Sequence, residues 1–148
     1  MFKHVLIPTD GSAVAAKAIQ AGVALAKEMG AKVTGLYAEG PPLQLHKGGG
    51  LMMVQQHVAA ELERRSREYA ERSVAEIRDA ARAAGVPFEP LVVKSIEPYQ
   101  AIIDAAAQRK CDVICMGSHG HRGFTGLVLG SVTNKVLTHS NIPVVVFR

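Results

Sequence analysis

Short apolar runs alternate with amphipathic stretches along the whole chain. Lys3–Pro8 carries Val5, Leu6 and Ile7 in succession, the pattern of a strand buried on both faces. Thr9-Asp10-Gly11-Ser12 is turn and helix-cap chemistry. Ala15, Ile19, Val23 and Ala26 fall on one stripe and predict a helix over Ala13–Met29, closed by Gly30. Lys32–Ala38 reads as a second strand, broken by Gly40-Pro41-Pro42. The stretch on to Gly48-Gly49-Gly50 predicts a flap beside the end of that strand. A long helix follows over Leu51–Ala84, ended by Gly85 and Pro87, then a third strand over Glu89–Lys94. Glu97-Pro98 opens a helix to about Arg109, with proline at its first position. Asp112–Met116 is a fourth strand, Gly117–Gly130 a glycine-rich loop, Ser131–Thr138 a short helix and Pro143–Phe147 a last strand.

Strand and helix in strict alternation predict an α/β fold: a doubly wound five-stranded parallel sheet with helices on both faces, Rossmann-like in plan. The 148 residues fit a single domain, 1–148. In such sheets ligands bind outside the carboxyl ends of the strands, where the strand order reverses. The two loops richest in special residues, Thr9–Ser12 and Gly117–Ser131, both follow strands and are expected to flank one crevice.

Composition narrows the function classes. Two cysteines do not make a disulfide scaffold. Cys111 and Cys115 are expected on one face of the fourth strand, about 13 Å apart at about 3.3 Å per residue, too far to pair. No apolar run reaches the roughly 20 residues of a membrane-spanning helix. The opening Met1–Pro8 makes a poor secretory signal, which points to the cytoplasm. The net charge of +4 invites a nucleic-acid reading, but the arrangement argues against it. Six arginines and six acids interleave between Glu61 and Arg82. The spacings Glu61/Arg65, Glu63/Arg67 and Glu68/Arg72 describe a self-paired, solvated helix face. Aromatics are only 5% of residues and tryptophan is absent, so there is no stacking platform for bases. Met52-Met53 reads as core.

The glycine-rich loop carries the most chemistry. Gly117, Gly120 and Gly130 remove side-chain bulk and let backbone N–H groups turn toward an anion. Gly130-Ser131 then opens a helix, whose free N–H groups and positive dipole end favour phosphate. Ser131 and Thr133 add hydroxyls. A side chain at Gly130 is expected to obstruct the phosphates or to demand an unfavourable backbone conformation. The loop is neither a Walker loop nor the G-x-G-x-x-G dinucleotide fingerprint. His119 and His121 form an H-x-H pair with no third ligand spaced nearby, so they read as donors near phosphate, with no metal assigned. No G-x-S-x-G elbow or triad arrangement is present, and no catalytic residue is assigned.

Gly117-x2-Gly120-x9-Gly130-Ser131 resembles the ATP-binding signature of the universal stress protein family. The resemblance covers the whole chain. Val5-Leu6-Ile7-Pro8-Thr9-Asp10-Gly11-Ser12 is similar to the family's first strand and turn. Gly130-Ser131-Val132-Thr133-Asn134-Lys135-Val136-Leu137 and Pro143-Val144-Val145-Val146 are similar to its last helix and strand.

The resemblance implies an adenine-nucleotide alpha hydrolase-like fold and a stress-response regulator or signalling module that binds ATP, alone or with Mg or Mn. It implies that Asp10 contacts ribose or a metal-phosphate unit and that Pro8 and Thr9 line the adenine side. Ala38 would offer its backbone to adenine, and Met116 and Gly117 would pack near the ribose. Gly120, Gly130, Ser131, Val132 and Thr133 would hold the phosphates. Tyr37 and Glu39 flank the adenine position and are expected to shape the pocket mouth, while His119, His121 and Arg122 would reach the terminal phosphate. From the residue alone, Asp10 reads equally well as a turn cap. The alternative function is a slow ATP hydrolase or nucleotidyl-transfer enzyme on the same scaffold. AMP and a cyclic nucleotide remain alternative ligands, and the regulatory protein partner is not specified. The last strand, apolar from Val144 to Phe147, is expected at a sheet edge and predicts a homodimer through that edge.

Overall fold

Parallel strands covered by helices on both sides must be apolar on both faces, and the chain's short aliphatic runs meet that demand. The computed structural model describes residues 1–40, 52–121 and 129–148. The flap expected over 40–50, the Met52-Met53 side chains and Arg122 therefore lie outside the described residues, save Gly40. The elements run β1 (His4–Pro8), α1 (Ala13–Met29), β2 (Lys32–Glu39), α2 (Met52–Ala84), β3 (Phe88–Lys94), α3 (Pro98–Gln108), β4 (Val113–Gly117), α4 (Ser131–His139) and β5 (Val144–Phe147).

The five strands form one parallel sheet in the order β3-β2-β1-β4-β5. The order grows outward from β1 in both directions, so the chain changes direction between β1 and β4. Side chains alternate across the sheet. Val5 and Ile7 of β1 and Val113 and Cys115 of β4 join Ile19, Val23, Ile77 and Ala81 of α1 and α2 in one core. Leu6, Ile114 and Met116 point the other way and pack with Ile102, Ala105 and Val136 of α3 and α4. The fold is thus the expected doubly wound α/β sandwich.

Element ends differ from the periodicity by a residue or so, for local reasons. Asp112 precedes β4 because its carboxylate accepts the N–H groups of Lys3 and His4, at 2.7 and 3.0 Å. β2 runs on to Glu39, whose carbonyl accepts Ser95 N–H at 2.8 Å. Helix α1 starts at the Ser12 hydroxyl, which accepts Ala15 N–H at 3.2 Å, and stops where Gly30 turns left-handed at φ 61°. The cysteines correct the simple alternation: Cys111 lies before β4 and packs with α3 and α4, whereas Cys115 packs with α1 and α2. Both are free and buried, and burial pushes their thiols up to about 11 and about 12.

The charged face of α2 forms its pairs at helical spacing. Arg65 reaches Glu61 at 2.8 Å and Arg67 reaches Glu63 at 3.7 Å. Glu68 pairs with Arg64, one turn back, rather than with Arg72. Arg64, and after it Arg65, hold the partly exposed Glu61 carboxyl down to about 2. A solvent-open depression of about 390 Å³ on this helix is lined by Glu68, Glu71, Arg72, Ala75 and Arg78.

Candidate nucleotide-binding site

The strand-order reversal leaves a crevice over the carboxyl ends of β1, β2 and β4. A cleft of about 830 Å³ opens there, within the range of small-molecule sites. Pro8, Thr9, Asp10, Ala38, Met116, Gly117, Gly120, Gly130, Ser131, Val132 and Thr133 all line it. Residues from both ends of the chain meet here because β1 and β4 are neighbours.

One end of the cleft is built for an anion. Gly130 is the N-cap of helix α4, and among the described residues no side chain caps it. Asn134 N–H returns to the Gly130 carbonyl at 2.9 Å, so the N–H groups of Ser131, Val132 and Thr133 precede the helix's own bonding. Their dipoles add at the cleft wall. Thr133 has a different role from the hydroxyl donor expected of it: its Oγ1 donates to the Gly117 carbonyl at 2.9 Å and ties α4 to the end of β4.

The glycines are needed for close approach. Gly130 N–H donates to Ser118 O at 2.6 Å. A Cβ at Gly130 would stand 3.0 Å from His119 Cα and 3.2 Å from His119 Cβ. Its φ of −71° is open to any residue, so crowding alone, not backbone strain, calls for glycine there. At Gly120 an added Cβ would collide with the Asp10 carboxylate.

Asp10 is both a turn cap and a clamp. Its Oδ1 accepts Ser12 N–H at 3.0 Å, and its Oδ2 accepts the backbone N–H of His121 at 3.1 Å. Its carbonyl accepts the Tyr69 hydroxyl at 2.8 Å, and His121 Nε2 lies 2.8 Å from that carbonyl and 2.7 Å from the hydroxyl. With the Tyr69 proton on the carbonyl, His121 Nε2 must carry the hydrogen that faces both oxygens. Helix α2 thereby anchors both loops of the cleft through Tyr69, a residue with no motif to mark it. His121 is drawn to this anchor as well as lining the cleft. His119 also lines the cleft, with its Nδ1 3.0 Å from Ser118 Oγ.

Tyr37 and Glu39, expected at the mouth, are not among the described residues that line the cleft. Strand alternation turns Leu36 and Ala38 into the cleft and leaves Tyr37 and Glu39 facing α2. The Tyr37 ring meets Tyr69 edge-on at 5.8 Å, and Glu39, buried, accepts the Ser66 hydroxyl at 2.9 Å. Burial first, then the neighbouring Tyr69, pushes the Tyr37 phenol above its usual range.

Sequence reasoning missed the wall that the β3–α3 connection contributes. Ile96, Glu97, Pro98, Tyr99 and Ile102, at the start of α3, line the cleft together with Lys135 of α4. The available signal was positional, since this segment also follows the carboxyl end of a strand. Ile96 is 82% exposed, an unusual aliphatic surface at the rim of a crevice. Among the described residues, no three His, Cys, Asp or Glu side chains gather as a metal cluster.

Comparison with known proteins places the chain in a family and agrees with its fold. The profile of the universal stress protein family matches residues 1–148. Universal stress protein YxiE of Bacillus subtilis is 30% identical over 149 residues, covering 100% of both chains. The solved structure of MJ0577 from Methanocaldococcus jannaschii superposes with a TM-score of 0.80 at 28% identity, covering 99% of this chain and 95% of that one. A universal stress protein solved in complex with cAMP has a TM-score of 0.71 at 23% identity, covering 99% of this chain and 97% of its own.

Proposed function

The chain belongs to the universal stress protein family, and on that premise we propose that it is an ATP-binding regulatory module whose nucleotide sits in the cleft at the β1/β4 reversal. The observation that carries this reading is the start of α4 at Gly130, which brings its first N–H groups to a cleft that Pro8, Leu36, Ala38, Ile96 and Met116 also line. Triphosphate would lie against the N–H groups of Ser131, Val132 and Thr133 and the backbone around Gly120. Adenine would lie between Pro8, Thr9, Ala38 and the start of α3, with ribose near Asp10, Met116 and Gly117. Asp10 would contact either the ribose or a Mg or Mn ion accompanying the phosphates.

A switch fits the geometry better than a hydrolase. Both Asp10 oxygens already hold backbone N–H groups, which leaves that carboxylate poorly placed to activate water. The cAMP complex of a family member supports an adenine nucleotide as the class of ligand. The module would act in the cytoplasm as a homodimer joined along Val144–Phe147. Mass spectrometry of ligand released from the purified protein, followed by calorimetric titration of ATP with magnesium, tests the reading. A stripped protein that takes up ATP at a ratio of one per chain supports it. Absence of both carried and added nucleotide overturns it, and sustained phosphate release would favour the hydrolase.

A further inference from the structure

The cleft's charged side chains do not favour an anion by themselves. Among the described residues that line it, Asp10 and Glu97 are acids and Lys135 is the one lysine or arginine. Lys135 lies one helical turn beyond Ser131, on the same face of α4. Helical side chains lean toward the N-terminus, which carries the Lys135 stem back toward the anion end of the cleft. Its Nζ is 3.8 Å from Oε2 of Glu97, the N-cap residue of α3, and 5.0 Å from the centre of the Tyr99 ring. The Tyr99 ring in turn packs on His139 at 5.4 Å.

The Lys135–Glu97 pair has the character of a contact that is easily exchanged. Its side chains are 53% and 57% exposed, so water competes for both charges and the pair contributes little to stability. A phosphate oxygen beside the α4 N-terminus offers the ammonium a stronger, charge-assisted partner.

We propose that Lys135 is a phosphate-directed specificity residue, held by Glu97 in the nucleotide-free protein and transferred to the nucleotide's phosphates on binding. The inference rests on the nucleotide reading of the cleft and adds to it the residue that distinguishes phosphorylated ligands from the bare nucleoside. Tyr99 supports the lysine stem, and Glu97 competes with the ligand for its charge.

Lys135→Met separates charge from packing, because the thioether still covers the Tyr99 ring. Titration of the stripped protein with adenosine, AMP and ATP is the test. Lys135→Met should weaken ATP by about tenfold and flatten the salt dependence of its binding, with adenosine changed by less than about twofold. Lys135→Arg should restore most of the ATP affinity, and Glu97→Gln should raise it above wild type. An equal loss for adenosine and ATP would assign Lys135 to packing and overturn the proposal, as would unchanged ATP binding in Lys135→Met. A wild-type protein that binds adenosine and ATP equally well overturns this role while leaving the cleft as a nucleoside site. One that binds neither overturns the nucleotide reading itself.

Discussion

The Asp10 carboxylate holds the backbone N–H of His121 at 3.1 Å, joining the loop after β1 to the loop after β4 across 111 positions of sequence. The same carboxylate shapes the turn into α1 through Ser12 N–H. Removing it therefore acts on both loops. Asp10→Ala should weaken ATP binding by about 1.5–3 kcal/mol, the scale of a lost charged hydrogen bond, and lower folding stability by about 1–3 kcal/mol. Calorimetry and urea denaturation on one protein separate the two effects. A stability loss with unchanged ATP affinity would leave Asp10 as a clamp only.

Gly130 faces His119 closely enough that a branched side chain must push the glycine loop away from α4. Gly130→Val should abolish measurable ATP binding while the far-ultraviolet circular dichroism of the α/β sandwich is retained. A folded Gly130→Val protein with wild-type affinity would exclude this loop from the phosphate site.

His4 sits at the opposite end of the sheet, buried, with Nε2 2.7 Å from Thr34 Oγ1. Burial, and then the charge of Lys32, lowers its pKa from the usual 6.5. The unfolded chain therefore takes up this proton first as pH falls. Stability should hold steady above about pH 6.5 and decline below it, until the folded protein is protonated as well. His4→Gln should lose this part of the slope, measured by chemical denaturation between neutral and mildly acid pH. An unchanged slope would place the acid sensitivity elsewhere.

The outer edge of β5 is the proposed dimer seam. Val145 and Phe147 are partly buried against the α1/α2 core and Val144 against the α3/α4 core, so these side chains find cover within the subunit. What remains is backbone. Ile114 N–H reaches Pro143 O and Ser118 N–H reaches Phe147 O, so with a period of two the peptide groups of Val144 and Val146 face outward. Val146→Pro removes an outward donor and leaves the bonds to β4 intact. It should convert a dimer to a monomer in light scattering without a large loss of stability. A monomeric wild type, or a Val146→Pro dimer, would rule this edge out.

The elements themselves were legible in the sequence because their causes are local. Val5-Leu6-Ile7 and Val113–Met116 can be apolar on successive positions only if both faces of a strand are covered, and that requirement already implies a parallel sheet with helices on each side. Gly117, Gly120, Gly130 and Ser131 marked a candidate anion site because small residues before a helix start leave its first N–H groups accessible. Tyr69 carried no such mark. Its hydroxyl matters only because α2 passes beside the turn at Asp10. The same holds for Lys135 and the Ile96–Tyr99 wall, which meet only because α3 and α4 pack on one side of the sheet. Periodicity reports which residues must be buried and where a chain must turn. The loops after the first and fourth strands could be expected at one crevice from the sequence, but which other residues share it is decided by strand order and helix packing, properties of the folded sheet alone.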